Sequence, residues 1–475
     1  MHRFLISAAH KSSGKTTISL GLAAALKARG LGVQSFKKGP DYIDPLWLGL
    51  ASGRPCRNLD FYISSHEEIK AQFARHAHAA EVCLVEGNKG LYDGLDLQGS
   101  NSNAALARLL GLPVILVLDA RGMTRGIAPL ILGYQAFDRD LDIAGVILNR
   151  LGGSRHEAKL RAVIEHYTEV PVIGAVHDDP SLQLTERHLG LMPANEASGA
   201  AQRIAAIADR VAAQVDLGRL LDLTATQAAW PQPLPVRGKS SGAGSAPLRI
   251  AIARDAAFGF YYADDLDAFA AAGAQLIPFD TLRDPHLPQA DGLFIGGGFP
   301  ECFADALAAN STLREDIRAA IEAGLPAYAE CGGLMYLARS LTWQGQTRPM
   351  VGVLDADVVM HDKPVGRGYV KLLPSAEHPW LNHGCARQPG ATAIAAHEFH
   401  YSSVENLSPQ TAYAYRMQRG FGTDGQHDGI IHRNLLASYA HLRSTPACDW
   451  VARFVQFVGG VRTGTMAPVD NTASL

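Results

Sequence analysis

Cysteine is scarce: six in 475 residues, none in a C-x-x-C pair, so neither a disulfide framework nor a structural zinc site is suggested. Long apolar runs are missing too. The stretch from Leu109 to Leu118 is broken by Gly111 and Pro113 and falls far short of a membrane span. Charge of one sign is not in excess: 43 Lys plus Arg against 46 Asp plus Glu leave a formal charge of −3. That balance excludes a nucleic-acid-coating field and a polybasic membrane tail. The N-terminal MHRFLISAAHKSSGKTT has no small-residue cleavage site after its short apolar run and does not read as a signal peptide. These absences predict a reduced, cytoplasmic protein. What remains is 47% hydrophobic and 19% charged, as in ordinary globular chains, and the length predicts roughly two or three domains.

From Trp230 to Pro247 the sequence WPQPLPVRGKSSGAGSAP keeps no hydrophobic period and reads as an interdomain linker. It divides the chain into residues 1–228, a linker at 229–247, residues 248–460 and a small, polar tail at 461–475. Before the linker, the apolar runs RFLIS (3–7), VQSF (33–36), EVCLVEG (81–87), PVILVLDA (113–120), AGVILN (144–149) and VPVIGAV (170–176) alternate with helical stretches such as Ser19 to Arg29 and Asn103 to Leu110. Continuous apolar strands separated by helices indicate a parallel sheet covered on both faces. After the linker, RIAIAR (249–254), AQLIPFD (274–280), GLFIGGG (292–298) and PAYAEC (326–331) repeat the pattern, which predicts a second α/β domain. From about Arg339 to Tyr415 the pattern is less regular and places no strands.

The first strand leads into AHKSSGKTT (9–17) and then a helix, the context in which Gly-Lys-Thr marks a phosphate-binding loop. Backbone N–H groups around Ser13 and Gly14 would curl round phosphate oxygens, with Lys15 on the β/γ-phosphates, Thr16 on Mg²⁺ and Thr17 beside them. Ala9 replaces the first glycine of the usual motif. Acidic ligands for Mg²⁺ are available in Glu86 at a strand end and in Asp41, Asp44 and Asp93, which fall in the loops KKGPDYIDP (37–45) and GLYDG (90–94). A turn or helix cap is the alternative for each aspartate. Asn149 ends a strand at a position from which its amide could read an adenine edge.

In the second half, PAYAE runs into Cys331-Gly332-Gly333 and a helical LMYLARS, a strand–nucleophile–helix elbow. Gly297 and Gly298 of GGGFPE (296–301) follow another strand and could offer N–H donors to an oxyanion. His441 closes the strand-like LASYAHLR (436–443) and is the natural base for Cys331. The motif HEFH (397–400) is not HExxH and reads as a loop or strand lining the cleft rather than as a zinc site.

Together SSGKTT, KKGPDYIDP, NLD (58–60), EG with GLYDG, ERHLGLMPA (186–194), GGGFPE, ECGG (330–333), HEFHYS (397–402) and ASYAHL (437–442) resemble the cobyrinic (or hydrogenobyrinic) acid a,c-diamide synthase family. The similarity runs to about residue 455. It implies an ATP-dependent amide ligase domain, related in fold to dethiobiotin synthetase, followed by a class I glutamine amidotransferase domain. It also implies glutamine cleavage by Cys331 and His441, passage of ammonia by a protected route, and amidation of tetrapyrrole carboxylates through acyl phosphates. Asp41, Asp44, Glu86 and Asp93 match the family's functional acids, with Thr16, Glu86 and Asp41 as the implied Mg²⁺ ligands. ATP and L-glutamine are then cosubstrates and a tetrapyrrole the substrate, with no nucleic acid or membrane, and a homodimer is compatible with this reading.

Two departures stand out. Arg443 occupies the place where many class I amidotransferases carry a glutamate, so the group that orients His441 is unassigned. Asn88-Lys89, NSNAALA (101–107) and GMTRGIAP (122–129) are unusual stretches after ligase strands, where ligands bind in open α/β sheets. They keep a glutamine-dependent amidase of sirohaem as an alternative. A partition-type nucleotide switch fits less well, because His10 stands where its signature lysine would be and it has no need of Cys331 or His441.

Overall fold

The computed structural model describes residues 1–187, 190–226, 246–380 and 393–465. Most of the linker expected at 229–247, and residues 466–475 of the expected tail, lie outside the described residues. The chain forms two compact units, Met1–Pro235 and Val236–Leu475. Among the described residues, no helix is long and apolar enough to cross a membrane.

The first unit is built on seven parallel strands: β1 (His2–Ala8), β2 (Val33–Lys38), β3 (Arg57–Leu59), β4 (Val82–Glu86), β5 (Val114–Asp119), β6 (Ile143–Leu151) and β7 (Val172–His177). Their spatial order is β3-β2-β4-β1-β5-β6-β7. Alternate residues of one strand feed two separate cores. Phe4 and Ile6 join Leu84 on one face, with Ile18, Leu22 and Leu26 of helix α1 (Lys15–Ala28). Leu5 joins Cys83 and Val85 on the other, with Ile69 and Phe73 of a second-face helix. Burial on both faces is what made these strands read as unbroken apolar runs. The register places Ile6 and Lys37 opposite Glu86, and Asp119 opposite Asn149, at the carboxyl ends of adjacent strands.

The second unit carries a mixed sheet. Ala274–Phe279, Leu248–Ala253, Gly292–Ile295, Ala327–Glu330 and Leu435–Ser438 run parallel in that spatial order. His427–His432, Ala412–Arg419, Gly366–Pro374 and Ile394–His400 extend it antiparallel. A separate four-stranded sheet holds Gln346–Pro349, Ala338–Trp343, Leu354–Met360 and Ser402–Glu405.

Three expectations need correction here. The helix after Cys331 ends at Leu337, and Ala338 already begins a strand, so LMYLARS is helical only in its first half. The strand expected to close on His441 ends at Ser438. The tail does not begin at Val461, because the helix Trp450–Arg462 continues through it. Val451, Phe454, Val455 and Val458 bury one face of that helix and carry it past the glycine pair Gly459-Gly460.

Candidate active site

The phosphate loop follows β1 and is braced from β6. Ser12 and Gly14 have left-handed φ of 63° and 84°, and a Cβ on Gly14 would sit 2.2 Å from Asn149 Nδ2. Asn149 Nδ2 donates to the Ser13 carbonyl at 2.9 Å and Arg150 Nη1 to the Ser12 carbonyl at 2.7 Å. Ser13 Oγ donates to the His10 carbonyl at 2.8 Å. The Asn149 amide, expected to read an adenine edge, thus commits one of its two N–H groups to the loop, and it does not end its strand, which continues to Leu151. Helix α1 begins at Lys15, four residues before the apolar period suggested, so Lys15, Thr16 and Thr17 occupy its first turn. Lys15 is buried, and its amine is pushed down to about 8 by desolvation, with the Lys37 charge adding to that and the Glu86 carboxylate opposing it.

An acidic cluster adjoins the loop. Thr16 Oγ1 donates to Glu86 Oε1 at 2.8 Å and faces Asp44 Oδ2 at 3.4 Å. Asp44 lies in the first turn of the helix Ile43–Ser52 rather than in a loop, and its backbone N–H donates to Asp41 Oδ1 at 3.1 Å. Lys37 Nζ donates to Glu86 Oε1 at 2.9 Å and to Asp44, and stands 3.8 Å from Asp41. Burial works against the Lys37 charge, yet Asp44, Glu86 and Asp41 hold its amine above the ordinary value. Glu86 is buried and its carboxyl is raised by desolvation, against the pull of Lys37. Asp41, whose side chain keeps 31% of its surface, is pushed up to about 7 by desolvation and then by the Asp44 charge. Asp93 stands apart from this knot: its Oδ2 accepts from Gly90 N–H at 2.8 Å and closes the GLYDG turn against β1, where Leu91 N–H bonds the Ala8 carbonyl.

In the second unit Cys331 sits between a strand and a short helix with φ 48° and ψ −102°, a backbone that L-residues rarely adopt. Its N–H donates to the Ser438 carbonyl at 2.7 Å. The glycines are needed for close approach: a Cβ on Gly333 would lie 2.2 Å from the Ile295 carbonyl oxygen, and one on Gly332 3.0 Å from Gly298 N. His441 is held three residues past its strand by an N–H bond to the His397 carbonyl at 2.8 Å. The two rings stack at 4.8 Å and 16°. Burial would lower His441, but hydrogen bonds to Cys331 and Glu330 prevail and raise it to about 10. A Cβ on Gly297 would lie 2.7 Å from His441 Cε1, so the short strand Gly297–Gly298, paired with Phe258–Phe260, packs directly on the histidine.

HEFH is a strand segment. Glu398 accepts N–H bonds from Phe421 and Gly422, and His400 bonds the Ser402 carbonyl and stacks on Tyr439 at 3.7 Å. Arg443, in the place of the usual glutamate, pairs with Asp264 at 3.1 Å.

Two residues at these sites escape a reading by spacing alone, although both sit in motifs that stand out. Lys37 is recognisable only once β2 is laid beside β4, which puts it opposite Glu86. Glu330 precedes Cys331 directly, and its carboxylate reaches Leu442 N–H at 2.9 Å and His441 Nδ1 at 3.3 Å.

Residues 5–191 match the family model of the CobQ/CobB/MinD/ParA nucleotide binding domain, and residues 249–446 that of the CobB/CobQ-like glutamine amidotransferase domain. The cobyrinate a,c-diamide synthase of Magnetococcus marinus is 46% identical over 96% of this chain and 97% of its own length. Those of Methanosarcina acetivorans (40%, over 97% and 96%) and Listeria monocytogenes (40%, over 93% and 96%) are similar across the same two units. With both family models matched in order and relatives of this identity aligned nearly end to end, the chain belongs to the cobyrinate a,c-diamide synthase family.

Proposed function

We infer that the chain is an ATP- and glutamine-dependent ligase that converts the a and c carboxylates of cobyrinate, or of its metal-free analogue, into carboxamides. The observation that carries this reading is the presence, on one chain, of a braced phosphate loop beside buried acids and of a strained cysteine whose chain neighbour Glu330 bonds His441. A nucleotide switch needs only the first of these. The relatives from Magnetococcus marinus, Methanosarcina acetivorans and Listeria monocytogenes are each named for cobyrinate, which favours it over sirohaem.

In the second unit Cys331 Sγ, its proton already held by His441, attacks the side-chain carbonyl carbon of glutamine. The C–N bond then breaks, and His441 returns the proton to the leaving nitrogen as ammonia. Water, deprotonated by His441, cleaves the γ-glutamyl thioester to glutamate and restores the thiol. Gly298, against Gly332, and Gly297, against His441, are suited to present N–H groups to the oxyanion of each tetrahedral step.

In the first unit a substrate carboxylate attacks the γ-phosphorus of ATP, ADP leaves, and the resulting acyl phosphate is displaced by ammonia with loss of phosphate. Lys15 and the loop N–H groups hold the β/γ-phosphates. The residues fit Mg²⁺: Glu86 Oε2 is buried with no hydrogen-bond partner, and it shares a carboxylate with the oxygen that Thr16 bonds. Thr16, Glu86, Asp44 and Asp41 would hold the ion, which would offset charge on the transferring phosphate. Lys37 is placed to hold this acidic knot together before the cation enters.

Glu86→Gln should keep the fold, because Lys37 retains Asp44 and Asp41. Its apparent Mg²⁺ affinity should fall by about tenfold or more, with synthesis partly recovered at high Mg²⁺. Titration of activity against Mg²⁺ decides this; an unchanged curve would mean that Glu86 only ends its strand. The substrate assignment is tested by mass spectrometry after incubation with ATP, Mg²⁺, glutamine and cobyrinic acid, hydrogenobyrinic acid or sirohaem. Replacement of two hydroxyls by two amino groups on a cobyrinic substrate is expected, and conversion of sirohaem alone would overturn it.

A further inference from the structure

We propose that Glu330, the residue before the nucleophile, is the positioning carboxylate of His441, supplying the role that Arg443 leaves open. The proposal rests on the reading of this unit as the glutamine-cleaving site.

Three bonds fix the geometry. Glu330 Oε1 accepts from Leu442 N–H at 2.9 Å and from the Tyr328 hydroxyl at 2.7 Å, which turns Oε2 toward His441 Nδ1 at 3.3 Å. One buried carboxylate thus holds both the backbone just after the histidine and its ring. With Nδ1 donating to Glu330, Nε2 is the nitrogen left to take a proton from Cys331. The long Nδ1 contact is of the kind that tightens when substrate binds.

Neighbouring acids have other tasks. Asp428 accepts from Tyr439 and Ala440 N–H, Glu398 from Phe421 and Gly422 N–H, and Asp265 from Ser444 N–H and Trp450 Nε1. His397 stacks flat on His441 and turns its Nδ1 to the Tyr262 hydroxyl at 3.3 Å, so it backs the ring and does not compete as base. The titratable groups facing the Glu330–His441 pair are Cys331, His397, Arg443, Asp265 and the phenols of Tyr261, Tyr328 and Tyr415.

The placement has a chain logic. A strand ending in Glu-Cys turns sharply at Cys331, so the carboxylate of the last strand residue and the thiol of the elbow reach the same imidazole from adjacent positions. A glutamate downstream of the histidine is then unnecessary, and Arg443 is free to tie down Asp264.

The test uses Glu330→Gln in the full chain. The amide oxygen can keep the Leu442 and Tyr328 bonds, while its NH₂ group would favour the opposite tautomer of His441. Glutamine-dependent kcat should fall by about a hundredfold or more. Ammonia-dependent synthesis should stay at the parent rate, which a general loss of structure would not allow. Alkylation of Cys331 by iodoacetamide gives a second readout. Without the carboxylate the thiolate–imidazolium pair forms at higher pH, so the inflection should move up by about one pH unit and neutral-pH alkylation should slow about tenfold. Glu330→Asp, which keeps the charge but draws it back, should hold the alkylation profile near that of the parent with an intermediate kcat. An unchanged kcat and alkylation profile in Glu330→Gln would overturn the proposal. So would joint loss of the ammonia-dependent reaction, or an Asp variant that matches the Gln variant in both readouts. A parent protein that cleaves no glutamine at all would instead overturn the function assigned to the unit.

Discussion

Cys331→Ser is expected to lose glutamine-dependent synthesis by about 10⁴–10⁶-fold and to keep synthesis from free ammonia. The serine hydroxyl has a far higher pKa than the thiol and is a poor nucleophile without ionisation, so attack on the glutamine carbonyl stops at the first step. Acyl-phosphate formation draws on Lys15, Thr16, Glu86 and the aspartates of the other unit and has no need of the thiol. Ammonia supplied at high pH, where more of it is unprotonated, enters after the missing step. The substitution should also be quiet structurally, since serine can occupy the same left-handed elbow and its N–H keeps the Ser438 carbonyl. Parallel assays with glutamine and with ammonium salts decide the matter. Failure with both, in a folded variant that binds ATP, would place Cys331 in the ligase chemistry or in structure. Normal turnover with glutamine would remove the amidotransferase assignment.

Lys15→Ala should do the reverse. Amide synthesis from either nitrogen source should fall by about 10²–10³-fold in kcat, because the lysine of a phosphate loop offsets charge on the transferring phosphate. Basal glutamine hydrolysis should persist, since thioester formation is assigned to Cys331 and His441 of the second unit. Removing a buried lysine whose charged form is already disfavoured by desolvation should cost the fold little. Glutamate release and ADP release, followed in the same reaction, separate the two effects. Undiminished synthesis in this variant would remove the phosphate-loop assignment.

The first unit is legible in sequence to an unusual degree, and the physical reason is burial on both faces. Strands such as VILVLD and VCLVE are apolar at every position until a polar residue, Asp119 or Glu86, marks the sheet edge. The second unit is legible only where it repeats this arrangement. Gly366–Pro374 is half-buried, with a broken alternation of covered and open residues and no run that periodicity could detect, whereas Leu354–Met360 alternates only over the five residues LDADV. The elbow at Cys331 is readable because glycines follow it, yet the helix it opens is shorter than its apolar residues suggest, since Leu341 is buried as part of a strand.

The same contrast holds in the sites. Lys15, Thr16, Cys331 and His441 belong to local patterns whose chemistry depends on spacing. Lys37 meets Glu86 through strand register, and Glu330 meets His441 across 111 positions of chain, so neither partnership has a local signature. Asn149 shows what spacing does not see. Its strand continues to Leu151, and a glycine with no Cβ lets the loop approach it and take one of its N–H groups.

The central claim is that one chain releases ammonia from glutamine at Cys331 and fixes it as amide with ATP at the phosphate loop. Its most direct test supplies cobyrinic acid, ATP and Mg²⁺ with glutamine carrying heavy nitrogen in the side-chain amide, in a buffer containing unlabelled ammonium. Both new carboxamides should carry the heavy isotope with the parent enzyme, and neither should with Cys331→Ser. Unlabelled amides from the parent enzyme, or glutamine consumed with no amide formed, would contradict the account.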